Sequence, residues 1–160
     1  MLRSVLQKCE KTGFLIAILL LTFLHYAFIA PVDEQQLLTW SNQCLTESYD
    51  PSADTSLIKW EIVLTPSAFI RIRNTYKNGV VEYYSFQLHS LDTVNYIKDD
   101  TTDTLRLTAK ADDIIMQTYN DPSGNLDSML TEMDLPIKKM KRRRLDSLQM
   151  VLSYFKNKEL

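Results

Sequence analysis

AFIRIRNTYKNGVVEYYSFQLH, residues 68–89, decides how the folded part of this chain is read. Ile70 and Ile72 alternate with Arg71 and Arg73, and Lys77 extends the basic side. That period of two is the signature of a strand with one buried face. Asn78-Gly79 interrupts it with two residues that tolerate positive φ, as a type I′ turn requires. Tyr84, Phe86 and Leu88 then resume the alternation. The stretch predicts a β-hairpin, with Tyr76 and Tyr83 adding aromatic surface to its two faces.

The same period extends outward from the hairpin. Residues 57–65 place Ile58, Trp60, Ile62 and Leu64 on one face, so a strand precedes it. Residues 104–110 alternate Leu105, Leu107 and Ala109 with Arg106 and Lys110. Residues 114–119, IIMQTY, predict a further strand, and NDPSGN at 120–125 a turn. Residues 126–135 suit either a strand or a helix. Residues 46–56 and the acidic, Thr-rich stretch 92–103 are expected to be loops.

Helical spacing appears at both ends of this strand-rich region. In residues 33–45, Leu37, Trp40 and Cys44, with Leu38, share a face, and the acids of the first turn suit the helix dipole. In residues 139–157, Leu145, Leu148, Leu152 and Phe155 recur at helical spacing with Val151, and Pro136 lies just before. The expectation is an α+β domain: a mostly antiparallel sheet of five or six strands, flanked by a short N-terminal helix and a longer C-terminal amphipathic helix.

Residues 14–30, FLIAILLLTFLHYAFIA, are seventeen residues without a charge. At about 1.5 Å per residue they reach roughly 25 Å, the short end for a bilayer. Three readings compete. A core helix would need apolar neighbours on every side, which a small domain hardly supplies. A cleavable signal peptide would need small residues at its cut, yet a cut after Ala30 or Ala27 places Phe28 or His25 there. The favoured reading is an uncleaved anchor over residues 14–31, built on Phe14, Leu15, Ile16, Leu20, Phe23 and Phe28. Arg3, Lys8 and Lys11 precede it and Asp33 and Glu34 follow, so residues 1–13 are expected in the cytoplasm and residues 32–160 outside. This arrangement is similar in outline to small single-anchor envelope proteins of bacteria.

The net charge of −2 conceals segregation. Residues 32–130 hold 7 basic and 15 acidic side chains, whereas residues 131–160 hold 8 basic and 4 acidic. The basic excess centres on KKMKRRR, residues 138–144. Helix-dipole physics disfavours cations at a helix N-terminus. The run therefore closes on the acidic body of the domain, or it meets an acidic envelope protein or anionic lipid. Nucleic acid is not expected, because no recognition motif accompanies the run. The candidate partner-binding residues are Lys138, Lys139, Lys141, Arg142, Arg143 and Arg144, with Arg71 and Arg73 as an extension.

Candidate chemistry is sparse. His89 has Ser90 and Asp92 nearby in sequence, but a catalytic triad is a matter of geometry, and no nucleophile-elbow motif is present. Cys44 reads as a small buried hydrophobe. Two histidines and two cysteines lack zinc spacing, and the scattered aspartates do not follow a calcium-loop pattern. No cofactor and no catalytic residue are expected. The residues favour a membrane-anchored, non-enzymatic binding or assembly module. The alternatives are a carrier of a small apolar ligand or lipid, with Trp60, Ile62 and Phe86 as lining, and an enzyme without a recognisable motif.

Overall fold

In the computed structural model, residues 33–158 are described. They form an α+β domain in the order α1 (Glu34–Ser48), β1 (Leu57–Leu64), β2 (Phe69–Tyr76), β3 (Val81–Gln87), β4 (Leu91–Ile97), β5 (Asp103–Ala109), β6 (Ile114–Tyr119), β7 (Asp127–Leu130), β8 (Glu132–Ile137) and α2 (Arg142–Lys156). The eight strands form two sheets rather than one of five or six. A five-stranded sheet runs β1-β2-β3-β6-β7 and a three-stranded sheet runs β4-β5-β8, with every paired neighbour antiparallel.

The hairpin is present, but its turn is not type I′. Gly79 has φ +86°, while Asn78 is not among the non-glycine residues of positive φ. Gly79 N–H donates to Tyr76 O and Tyr76 N–H to Val80 O, both at 2.9 Å. This is a three-residue loop whose last residue is left-handed, the second common hairpin solution. The Asn78 side chain braces it by accepting from Val80 N–H at 3.0 Å.

Three further expectations are corrected. Residues 92–103 are not one loop: Leu91–Ile97 is strand β4, and Val94 and Tyr96 pack against the core. Its Asp, Thr and Asn content hid a period of two. Residues 126–135 resolve as the strands β7 and β8, joined through Thr131 alone, so the chain passes directly from the edge of one sheet to the edge of the other. Pro136 lies within β8 rather than just before the helix, because α2 begins only at Arg142. A proline is tolerated there because β8 is an edge strand.

Burial follows the alternation. Leu105, Leu107 and Ala109 turn inward from β5, as do Met133, Leu135 and Ile137 from β8. From the larger sheet, Ile62, Leu64, Ile70, Ile72, Phe86 and Ile114 join them. Ile58 does not, being 62 % exposed, because a register shift between Leu57 and Lys59 ejects it from the inward row. Leu145, Leu148, Val151, Leu152 and Phe155 of α2 close the core, with Leu38, Cys44 and Leu45 of α1. Asn42 anchors α1 to β1, donating to Leu64 O at 2.9 Å and accepting from Leu64 N–H at 2.6 Å.

Among the described residues no helix is long and apolar enough to cross a membrane. The expected span, with Phe14, Leu15, Ile16, Leu20, Phe23 and Phe28, lies outside the described residues, as does Cys9.

Candidate functional site

The inward face of the five-stranded sheet changes character along its strands. Across β1, β2 and β3, the row Leu64–Ile70–Phe86 is fully buried. Two rows further on, the residues in register are Trp60, Asn74 and Glu82, flanked by Tyr76 and Tyr84. Here β8 does not cover the sheet. A cleft of about 500 Å³ opens between them, with Tyr49, Asn74, Tyr76, Glu82 and Tyr84 on its polar side. Ile72, Leu130, Met133 and Leu135 supply the apolar side. Its size suits a side chain or a small ligand group.

Glu82 is the hub of this cleft. Its Oε2 accepts from Tyr76 at 2.7 Å and from Tyr84 at 3.2 Å. Burial, then the Glu82 carboxylate, pushes the Tyr76 phenol above the ordinary tyrosine range. Burial does the same for Tyr84, again with Glu82 adding to it. Tyr49 is raised chiefly by burial, and its ring stacks on Trp60 with centroids 4.6 Å apart. All three phenols therefore stay protonated at neutral pH. At the cleft's margin, Ser56 donates to Asp54 through its hydroxyl at 2.6 Å and its N–H at 2.8 Å, holding that carboxyl below its usual range. Asn74 Oδ1 is buried and accepts no hydrogen bond from the described residues. Buried acceptors are normally satisfied, and leaving one unpaired costs about 1–3 kcal/mol.

The second wall is the edge of β8. At its C-terminal end this edge is occupied. Asp50 N–H donates to Pro136 O at 2.9 Å and Lys138 N–H donates to Ser48 O at 2.7 Å, with Tyr49 bridging Ile137. Residues alternate in the side to which they bond along an antiparallel strand. Pro136 therefore shares its outward side with Asp134 and Glu132, while Leu135 and Met133 bond to β5. The outward N–H and C=O of Glu132 and Asp134 have no strand beside them among the described residues. Their side chains bind Arg106, which donates to both Asp134 oxygens at 2.7 Å and lies 3.3 Å from Glu132.

The basic run is divided by the structure. Arg144 reaches from the first turn of α2 to α1, donating from Nε to Cys44 Sγ at 3.2 Å and from Nη2 to Glu47 Oε2 at 2.5 Å. Lys138 Nζ donates to Glu47 O at 3.4 Å. Lys139 lines a second cleft of about 630 Å³ with Lys98, Asp99, Asp100 and Asp103. A hydrogen bond from Tyr96 holds Asp103 below the usual carboxyl range, with Lys139 and Lys98 contributing. Lys141, Arg142 and Arg143 are exposed, and their side chains have no hydrogen-bond or ion-pair partner among the described residues. Arg71 and Arg73 belong to a different surface, each over an aromatic ring of the five-stranded sheet, Phe69 at 5.6 Å and Tyr83 at 5.3 Å.

His89 Nε2 bonds to Lys158 O at 2.8 Å, tying the turn after β3 to the residues that follow α2, and neither Ser90 nor Asp92 hydrogen-bonds to its ring. Cys44 is buried, 1 % exposed. No three His, Cys, Asp or Glu side chains gather as metal ligands among the described residues. Of the residues expected to line an apolar cavity, Ile62 and Phe86 lie in the packed core and Trp60 packs against it.

Sequence reasoning overlooked the cleft, although its signal was present. Counting by two from Ile70 and Ile72 puts Asn74 and Tyr76 inward, and counting back from Phe86 and Tyr84 puts Glu82 beside them. Polar residues at inward positions of a strand need a purpose. No protein-family model matches this chain, and neither a curated protein nor a solved structure does.

Proposed function

We propose that this chain is a non-enzymatic binding module that takes a short extended segment of a partner protein along the outward edge of β8. The reading includes an anchor at residues 14–31 with the N-terminus cytoplasmic and the domain outside, on the strength of the charges flanking the apolar run. The observation that carries it is the pair of unpaired backbone positions, Glu132 and Asp134, at the rim of a half-polar cleft. A strand added there gains main-chain hydrogen bonds, and its alternate side chains enter the cleft.

The test is Asp134→Pro in the full chain, carried in detergent micelles or nanodiscs. Proline removes the outward N–H without touching the bonds to β5, as Pro136 already does two residues on. Peptides selected from a random library against the wild-type chain lose binding to this variant and keep it to Asp134→Ala. Equal binding to both variants overturns the edge as the docking site.

A second reading rests on Lys141, Arg142 and Arg143. Cations at the start of α2 oppose its dipole, and no internal anion offsets them, so an acidic partner or anionic lipid surface is their natural counterpart. The triple glutamine variant is expected to lose binding to vesicles containing anionic lipid without change in thermal stability. Retained vesicle binding excludes this reading. A small apolar ligand or lipid in the cleft is the third possibility, and native mass spectrometry of the purified chain detects it as a co-purifying mass.

A further inference from the structure

We infer that the segment docked on β8 is basic, and that one of its Lys or Arg side chains enters the cleft between Glu82 and Asn74. This rests on the reading of the β8 edge as a docking site and adds the chemistry of the partner.

The charge of the cleft is one-sided. The carboxylates of Asp54 and Glu82 line it and no Lys or Arg does, while Glu132 and Asp134 border it along β8 with their carboxylates on Arg106 at the outer face. Lys77 acts on Asp54 from outside the lining, and Glu82 has no ion-pair partner among the described residues. The acceptors are also left over in the right place. Both phenols bond to Glu82 Oε2, so Oε1 accepts nothing from the described residues. Asn74, in register with Glu82 on the neighbouring strand and also lining the cleft, keeps a buried Oδ1 without a donor among the described residues. A lysine ammonium or arginine guanidinium has donors only, and so matches two acceptors without conflict. A carboxylate there would face other carboxylates in a partly desolvated site.

The backbone geometry agrees. A strand paired with Glu132 and Asp134 points every second side chain toward the inward face of the larger sheet. One such position lies over the cleft, and its long aliphatic stem meets Ile72, Met133 and Leu135 before its charge reaches Glu82.

The experiment uses three synthetic peptides of about six residues, rich in Thr and Val to favour strands, with Lys, norleucine or Glu at the central inward position. Affinities for the full chain in nanodiscs are measured by fluorescence anisotropy. The lysine peptide is expected to bind about tenfold more tightly than the norleucine peptide, a difference of about 1.4 kcal/mol, with the glutamate peptide weakest. Glu82→Gln keeps the shape and the phenol acceptor, and should bring the lysine peptide down to the norleucine level while leaving norleucine binding unchanged. Asp134→Pro should weaken all three. Equal binding of the three peptides, still lost in Asp134→Pro, overturns the basic partner and leaves the edge intact. Lysine preference that survives Glu82→Gln also overturns it. Binding of no peptide overturns the docking reading itself.

Discussion

Tyr76 donates its phenolic hydrogen to Glu82 across adjacent strands, over 2.7 Å, at the point where the inward face of the sheet stops being a core. The contact holds a carboxylate at the margin of an apolar interior. Tyr84 bonds to the same oxygen, so the two phenols together hold the Glu82 side chain at the cleft.

Removing one phenol leaves the other. Tyr76→Phe or Tyr84→Phe is expected to cost about 1 kcal/mol each. The double variant should depart from additivity, because both hydroxyls share one acceptor. Urea denaturation of the four proteins measures this, and strict additivity would show that the hydroxyls act independently.

Alkaline pH should destabilise the domain through the same tyrosines. Tyr49, Tyr76 and Tyr84 have folded pKa values above the ordinary 10.0. Above pH 10 the unfolded chain releases phenolic protons that the folded chain retains, so the unfolded state binds fewer protons and stability falls as pH rises. The stabilisation is complete below about pH 10 and is lost as pH climbs toward the folded values. Phenolate absorbance should therefore rise in two steps, with the second coinciding with loss of circular dichroism. A single step near pH 10 with the fold intact would contradict the burial of these rings.

The core depends on α2. Leu148 and Phe155 are fully buried, so Leu148→Ala or Phe155→Ala is expected to cost about 2–5 kcal/mol. Met150 is 73 % exposed on the same helix, and Met150→Ala should stay within about 0.5 kcal/mol of wild type. Thermal melts separate the two outcomes.

Gly79 tests the hairpin turn. A Cβ there meets no atom within 4 Å, so the effect of Gly79→Ala comes from its φ of +86° alone. The expected loss is about 1–2 kcal/mol, and Gly79→Asn should lose less because asparagine tolerates this region. Equal losses in a denaturant titration would point to a cause other than backbone strain.

Topology can be read by thiol labelling, provided the probe is placed with burial in mind. Cys44 lies beneath Arg144 and should resist a membrane-impermeant maleimide until the chain is denatured. Ser153 is exposed, so Ser153→Cys in a background of Cys9→Ser and Cys44→Ser reports the side on which the domain lies. Labelling of intact cells supports the outward orientation, and labelling only after permeabilisation reverses it.

The hairpin, β1, β5, β6 and both helices were legible because each writes its own period into consecutive residues. Strand β4 was not, since LDTVNYI carries polar residues on its outer face and sits just before Asp99 and Asp100. The sequence read β7 and β8 as one ambiguous segment, because the single residue between them, Thr131, carries no turn signal. For the basic run, sequence showed the excess of charge but not its disposition. Arg144 is satisfied by Glu47, 97 residues away, whereas its neighbours Arg142 and Arg143 are not.

What the sequence by itself determined is local: the alternation that makes strands, the spacing that makes amphipathic helices, the glycine that closes the hairpin, and the uneven charge. These follow from which residues stand two, three or four apart. What only the tertiary structure decided is the division of the strands into two sheets and the cleft between them. Glu82, Asn74, Tyr49 and Asp134 belong to separate strands and loops, and they share a site because edge strand β8 leaves part of the larger sheet uncovered. That outcome depends on how two surfaces fit together, a property of side-chain volume across the whole core that no single stretch of sequence carries.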